Sequence, residues 1–171
     1  MTGDPARTMN VVVMGVSASG KSSVGRELAQ RLSYSFIDAD DLHPTSNVAK
    51  MRAGVPLNDD DRWPWLDRVA EELGSPQPVV IACSALKRAY RDRLRLRDAG
   101  VAFVHLAGSE ELLAGRSLGR QGHFMPPALL RSQLETLECL EHDEHGVELE
   151  VADAVDEIVN AASRWVSANE R

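Results

Sequence analysis

The sequence predicts an α/β fold in which helices cover a parallel sheet. Short apolar runs, rich in β-branched residues, alternate with stretches of helical periodicity along the chain. This alternation is typical of β-α-β units, which pair their strands in parallel through right-handed crossovers. A glycine-rich segment at residues 15–22 separates the first apolar run from the first helical stretch. In such sheets, ligands bind beyond the carboxyl ends of the strands.

Each element is predicted from its own pattern. Four of the five strand candidates are apolar nearly throughout, as expected for strands covered on both faces. The predicted strands are residues 10–14, 35–37, 79–83, 102–106 and 147–151. The predicted helices are residues 21–32, 46–53, 62–73, 86–97, 110–118, 127–140 and 155–166. We expect Asp59, Asp60 and Asp61 to cap the third helix.

Composition and charge limit the class of protein. The chain has 171 residues, which suits a single domain covering residues 1–171, with residues 1–9 as a flexible tail. Its net charge is −7, and this acidic balance argues against nucleic acid as a partner, because nucleic-acid-binding domains present a basic face. No apolar stretch approaches membrane-spanning length, so no membrane association is expected. The two cysteines lack metal-ligand or disulfide spacing, which fits a reducing compartment.

Residues 15–22 carry the strongest functional signal. They read GVSASGKS, which fills the Walker A pattern G-x-x-x-x-G-K-[ST] of a phosphate-binding loop. Glycines let such a loop turn its N–H groups onto phosphate oxygens, and the following helix N-terminus adds partial positive charge. Lys21 can reach the β- and γ-phosphates, and the Ser22 hydroxyl can bind Mg²⁺. The sequence therefore predicts binding of a nucleoside triphosphate with Mg²⁺.

Two carboxylates follow the second predicted strand. Asp38 and Asp40 point the same way if the strand stays extended through both. One of them can hold Mg²⁺, and the other can orient an acceptor hydroxyl and take its proton. The alternative is a solvated acidic turn in which an aspartate only caps the backbone.

Basic residues further along the chain can bind an anionic acceptor. Arg62 can make a bidentate contact with a carboxylate or phosphate. Lys50 precedes Arg62 between the second and third predicted strands, and Lys87 follows the third strand. The alternative for Arg62 and Lys50 is a solvated surface position, and it fits Lys50 better than Arg62.

A lid is predicted at about residues 116–127. Arg116 and Arg120 lie four residues apart and therefore share a helical face, and a segment rich in glycine and proline follows them. Such a segment can close over the triphosphate and exclude water. The alternative is an exposed loop whose arginines pair with nearby acids.

Two charged segments are expected on the surface. The helix after the third strand carries Tyr90, Arg91, Arg93, Arg95 and Arg97, and we expect most of it to be solvated. Residues 142–145 read HDEH, but this spacing is poor for tetrahedral zinc, so we expect a solvated loop.

Four stretches together resemble the bacterial-type gluconokinase family. They read GVSASGKSSVG, DADDLHPTSNVAKMRAGVPLNDDDRWPWL, ACSALKRAYRDRLR and GRQGHFMPPALLRSQLETLE, and they keep the family's order and spacing from Met14 to Glu138. The resemblance implies a P-loop kinase three-layer fold with a five-stranded parallel sheet, a substrate-binding excursion at about residues 43–74 and the lid. It also implies a cytoplasmic homodimer that uses ATP and Mg²⁺ to phosphorylate D-gluconate at its 6-hydroxyl.

The resemblance also implies roles for individual residues. The nucleotide-binding residues are expected to be Gly15, Ser17, Ala18, Ser19, Gly20, Lys21, Ser22 and Ser23, with Arg116 and Arg120 from the lid. The expected catalytic residues are Lys21, Asp40 as the base, and Arg120, which leaves Asp38 with Ser22 for the metal. The expected substrate-binding residues are Asp40, His43, Lys50, Arg62, Lys87, His123 and Gln133. Family members often have glycine in place of Ala18, and alanine fits there if its φ is negative.

Two other functions stay open. The first is a related small-molecule kinase acting on another sugar acid, shikimate or a nucleoside monophosphate. Aromatic residues are only 5% of the chain, which weakly disfavours a pocket for a nucleobase acceptor. The second is a nucleotide-dependent switch that transfers nothing, but the guanine-reading N-K-x-D motif of such GTPases is absent from the sequence.

Overall fold

A computed structural model of the chain describes residues 8–119 and 126–170. Strands and helices alternate there as predicted, and a short 3₁₀ turn, Ala39–Leu42, follows the second strand. The strands are β1 (Val11–Met14), β2 (Ser35–Asp38), β3 (Val79–Ala82), β4 (Ala102–Ala107) and β5 (Gly146–Glu150). The helices are α1 (Lys21–Leu32), α2 (Thr45–Arg52), α3 (Asp59–Leu73), α4 (Arg88–Arg95), α5 (Glu110–Leu118), α6 (Pro127–Thr136) and α7 (Val155–Asn169).

The strands of the described ranges form one five-stranded sheet in the order β2-β3-β1-β4-β5, with every adjacent pair parallel. The crossover from β1 to β2 and the crossover from β3 to β4 run in opposite directions, so right-handed connections place α1 and α4 on opposite faces. α1 packs against α7, and α3 packs against α4. The predicted three-layer α/β fold is therefore confirmed.

The core lies on both faces of the central strand. Val12 pairs with Ile81 on one side and with Phe103 on the other, and all four residues of β1 are buried. Of the predicted tail at residues 1–9, only Thr8 and Met9 are described, and Met9 is buried in the core. Among the described residues, no helix combines the length and the apolar character needed to cross a membrane.

α3 begins at Asp59, before the predicted start at residue 62. Asn58 is its N-cap, because the Asn58 side chain accepts the N–H of Asp61 at 2.8 Å and Asp61 in turn accepts the N–H of Asn58 at 3.0 Å. This reciprocal pair is a capping box. The expectation that the three aspartates precede the helix is therefore wrong: they fill its first turn, near the positive end of the helix dipole.

The loop between β1 and α1 takes conformations that few residues allow. Gly15 has a φ of +150°, and a Cβ there would lie 2.8 Å from Ser19 Oγ and 2.9 Å from Leu106 O. Gly20, with a φ of +89°, is the N-cap of α1. Ala18 has a φ of +64°, so the condition under which alanine fits this position, a negative φ, is not met. The left-handed conformation costs an alanine about 1–2 kcal/mol.

A buried ion pair ties the segment between α6 and β5 to α4. Arg91 is fully buried and donates to both carboxylate oxygens of Glu144, at 2.7 and 2.8 Å. Arg95 donates to the same carboxylate at 2.9 Å. Burial alone would raise the pKa of Glu144, but hydrogen bonds from Arg91 and from the N–H of Glu141 bring that pKa below its ordinary value.

These contacts correct two expectations. Arg91 is an exception to the expectation that most of its helix is solvated, and residues 142–145 are not a solvated loop throughout, because Glu144 is buried. Asp143 does stay at the surface, where it pairs with Arg88 at 2.7 Å. Within the described ranges, no group of three or more His, Cys, Asp or Glu side chains is placed to hold a metal ion.

Replacing Glu144 by alanine should destabilise the fold strongly. The variant leaves the Arg91 guanidinium buried without its counter-charge, which typically costs about 3–5 kcal/mol in the free energy of unfolding. Asp143→Ala, which removes an exposed partner of Arg88, is the matched control and should change urea unfolding little. The folded-state pKa of Glu144 is lowered, so its stabilising effect is lost as the pH falls through that pKa. The difference in free energy of unfolding between the two variants should therefore be largest at neutral pH and shrink in acid. Equal unfolding midpoints at neutral pH would contradict this account.

Ala18→Gly should stabilise the protein despite the extra freedom it gives the unfolded chain. It removes left-handed strain of about 1–2 kcal/mol, while the added unfolded-state entropy costs about 0.4–1 kcal/mol. We expect a net gain of about 0.5–1 kcal/mol in urea unfolding without nucleotide. Ala53→Gly, at a φ of −79°, is the control and should give no gain. A loss of stability on Ala18→Gly would show that the strain is absent.

Candidate active site

The candidate site is a cleft at the carboxyl edge of the sheet, where the phosphate loop, the 3₁₀ turn after β2, α3 and α6 meet. It brings together six of the predicted site residues, namely Ser17, Lys21, Asp40, His43, Arg62 and Gln133. Sequence reasoning did not assign the other lining residues to the site: Met51, Pro56, Leu57, Trp65, Ser84, Leu86, Leu129 and Ser132. A larger cavity of about 600 Å³ lies by the amino ends of β1, β4 and β5, away from the phosphate loop.

The phosphate loop forms the donor wall of the cleft. Lys21 Nζ donates to the carbonyl of Val16 at 3.2 Å, and the N–H of Gly15 donates to the carbonyl of Ser84 at 3.3 Å. Around Gly20, nothing lies within 4 Å of the position that a Cβ would occupy. Ser19 Oγ is buried and has no hydrogen-bond partner among the described residues. A phosphate chain fits this wall, because there is open space beside Gly20 and the loop carries the Ser19 hydroxyl and the Lys21 ammonium group.

Ser22 and Asp38 come together beside this loop. Ser22 Oγ donates to Asp38 Oδ2 at 2.6 Å. Asp38 is the last residue of β2, and its Oδ1 accepts the N–H of Asp40 at 3.0 Å. A hydroxyl and a carboxylate are oxygen ligands of the kind that Mg²⁺ prefers, so these residues fit the predicted metal site.

Asp40 reaches the cleft for a reason other than the predicted one. β2 ends at Asp38, so the strand alternation does not extend to Asp40, which lies in the 3₁₀ turn. The turn holds the Asp40 side chain 71% exposed, on the lining of the same cleft as Lys21. The carboxylate therefore lies at an exposed position on the cleft.

The acceptor wall is the part of the cleft lined by Asp40, His43, Arg62 and Trp65, and His43 forms its inner part. Its side chain is only 4% exposed, and its ring stacks on Trp65 with the ring centroids 4.2 Å apart. Trp65 is itself held by a 2.7 Å hydrogen bond from its Nε1 to the carbonyl of Ala39. Burial, assisted by the positive charge of Arg62, lowers the pKa of His43 to about 4. The imidazole is therefore neutral at physiological pH.

Arg62 lines the cleft from the amino-terminal part of α3. Its Nη1 donates to the Tyr90 hydroxyl at 3.0 Å, and its guanidinium lies 5.4 Å from the centroid of that ring. Tyr90 also hydrogen-bonds Asp59. These contacts fix the direction of the guanidinium, as a bidentate anion site requires.

The two predicted lysines do not line the cleft. Lys87 Nζ pairs with Asp59 at 3.2 Å, and Lys50 Nζ donates to both carboxylate oxygens of Asp61 at 2.8 Å. Their role in binding substrate stays a prediction. Both lysines hold the start of α3, from which Arg62 reaches the site.

α6 lines the cleft through Leu129, Ser132 and Gln133. Gln133 Oε1 accepts the N–H of Ser17 at 2.7 Å, so this helix touches the phosphate loop directly. Arg116, in α5, donates instead to the carbonyl of Val151 and does not line the cleft. Arg120 and His123 lie outside the described residues, as does the predicted lid between residues 120 and 125.

Comparisons with known proteins agree with the fold and with the resemblance. Residues 11–140 match the family described as an AAA domain. A probable gluconokinase of Xenopus tropicalis is 45% identical over 171 residues, which cover 89% of this chain and 90% of that protein. A gluconokinase of Gluconobacter oxydans is 49% identical over 138 residues, covering 78% of each protein.

A solved structure extends the likeness to three dimensions. The crystal structure of a gluconokinase from Sinorhizobium meliloti superposes with a TM-score of 0.89 at 52% sequence identity, covering 94% of this chain and 93% of that one. At these identities and coverages, the chain belongs to the gluconokinase family.

Proposed function

We propose that this protein transfers the γ-phosphoryl group of ATP to the 6-hydroxyl of D-gluconate, giving ADP and 6-phosphogluconate. The observation that carries the proposal is the shared cleft, which Lys21 of the phosphate loop and Asp40 of the acceptor wall both line. Phosphoryl transfer depends mainly on positioning and on neutralising charge, and this arrangement supplies both. Identities of 45–52% to gluconokinases favour gluconate as the acceptor.

On the donor side, the loop N–H groups and Lys21 would bind the phosphates. Ser22 and Asp38 would hold Mg²⁺, which would supply positive charge to neutralise the charge of the phosphates. The 2.6 Å contact between Ser22 and Asp38 supports this assignment, since it shows both oxygens reaching one point beside the loop.

On the acceptor side, the Asp40 carboxylate takes the proton of the 6-hydroxyl as the oxygen bonds to phosphorus and ADP leaves. Arg62 can pair with the carboxylate of gluconate, because Tyr90 already holds its guanidinium at the cleft. His43 is neutral and buried, so it binds the sugar acid by hydrogen bonding and not as an ion. The site thus offers a cation and polar groups to a polyhydroxy acid.

The assembly and the location are part of the same proposal. The family resemblance supports a homodimer acting in the cytoplasm on a small-molecule substrate. Size-exclusion chromatography with light scattering measures the mass in solution, and a monomer would contradict the dimer.

The function is tested by ADP release with a panel of acceptors. The panel contains D-gluconate, other aldonic acids, shikimate and a nucleoside monophosphate, each with ATP and Mg²⁺. We expect the highest kcat/KM with D-gluconate. If gluconate releases no more ADP than water does, the proposed function is wrong.

Asp40→Asn should abolish most of the turnover. Loss of a general base typically lowers kcat by about 10²–10⁴-fold, and ATP affinity should persist because the phosphate loop is unchanged. Asp41→Asn, at the exposed neighbouring position, removes the same charge and should keep nearly full activity. A kcat close to that of the unmodified enzyme in Asp40→Asn would show that another group takes the proton.

A further inference from the structure

Behind the acceptor wall lies a buried polar side chain that neither the motif nor the cleft lining identifies. Asn47, in α2, is only 2% exposed. Its Nδ2 donates to the carbonyl of Asp61 at 2.9 Å and lies 3.2 Å from Nδ1 of His43. We propose that Asn47 is a positioning residue that fixes His43 as the neutral tautomer with its proton on Nε2. The consequence for the substrate rests on the proposed function.

The chemistry of these contacts sets the orientation of the amide. A backbone carbonyl only accepts hydrogen bonds, so the amide group of Asn47 that faces Asp61 O must be its NH₂. The same nitrogen faces Nδ1 of His43 and carries a second hydrogen. Nδ1 must therefore accept, which leaves the ring proton on Nε2.

The surroundings of the ring keep it neutral. The Asp40 carboxylate, 3.9 Å from Nε2, favours a protonated ring, but the guanidinium of Arg62 and the ammonium of Lys21 line the same cleft and oppose it. Burial first, and then Arg62, disfavour a positive charge on the imidazole. An N–H donor at Nδ1 acts in the same direction, because an imidazolium would place a second N–H against it.

The fixed tautomer selects the chemical group that binds there. Nε2 and Asp40 Oδ1 are 3.9 Å apart, and an oxygen atom placed between them can lie about 2.8 Å from each. That oxygen must accept from Nε2–H and donate to a carboxylate, which a hydroxyl does and a carboxylate does not. A hydroxyl bound in this way gives its proton to Asp40 and keeps one lone pair for attack on phosphorus. His43 itself is not a base here, because Nε2 is protonated and Nδ1 is engaged by Asn47.

The direct test is ¹⁵N NMR of the protein labelled at histidine, because the two ring nitrogens of a neutral imidazole differ in shift according to which carries the proton. The His43 signals are assigned by their loss in His43→Gln. We expect the Nε2–H pattern at neutral pH, with protonation only near pH 4. An Nδ1–H pattern or an imidazolium at neutral pH overturns the proposal.

Asn47→Asp supplies a kinetic test. A carboxylate at this position accepts from Nδ1–H, so it raises the pKa of His43 and leaves Nε2 bare once the ring is neutral. We expect kcat/KM for gluconate to fall about 10–100-fold as the pH rises through that pKa, the range seen when a partner that orients a functional imidazole is lost. Asn58→Asp adds the same charge to the same excursion and still caps α3, so it should keep the original pH profile. An unchanged pH profile and unchanged His43 signals in Asn47→Asp overturn the proposal.

Failure of this inference and failure of the proposed function give different results. The tautomer is read without any turnover, so an inactive protein with the Nε2–H pattern contradicts gluconate phosphorylation and leaves the role of Asn47 intact. An active gluconate kinase with the opposite tautomer overturns only the role of Asn47. If Asn47→Asp does not fold, the spectrum of the unmodified protein still decides.

Discussion

The rest of the structure depends on the tight turn at the carboxyl end of β1. That strand is buried between β3 and β4, so the chain leaves it beyond the carboxyl ends of the strands. Gly15 has no room for a Cβ, and positive φ at Ala18 and Gly20 closes the turn so that α1 starts at Lys21. Lys21 therefore lines the cleft and the hydroxyl of Ser22 contacts Asp38, while the elements on either side hold the backbone strain at Ala18.

The acceptor wall combines the 3₁₀ turn that carries Asp40 with contacts between side chains from α2 and α3. Trp65 reaches from α3 to the carbonyl of Ala39 and carries His43 on its ring. Asn47 links α2 to α3 and contacts the same imidazole. Gln133, in α6, contacts the donor wall through the N–H of Ser17. Directional contacts thus hold the side chains on each side of the cleft, which suits a reaction that depends on positioning.

Local patterns predicted the alternation of strands and helices and the phosphate loop, and they singled out Asp40 and Arg62, whereas His43 was expected only from the family resemblance. They could not predict contacts between distant residues. Arg91 and Glu144 both lie in charged segments, and nothing local shows that one pairs with the other 53 positions away. The φ of Ala18 depends on the fold around the loop, so the sequence alone could not show that this alanine takes a left-handed conformation. Asn47 reads as an ordinary polar residue of α2 until the position of His43 is known.

The central claim is that one cleft brings the phosphate loop to a primary hydroxyl held by Asp40 and His43. The most direct measurement is the proton-coupled ³¹P NMR spectrum of the product formed from ATP, Mg²⁺ and D-gluconate. Phosphorylation of the 6-hydroxyl predicts a triplet, because the phosphorus couples to the pair of protons on C6. A doublet, which marks a secondary hydroxyl, or the absence of any sugar-acid phosphate would contradict the account.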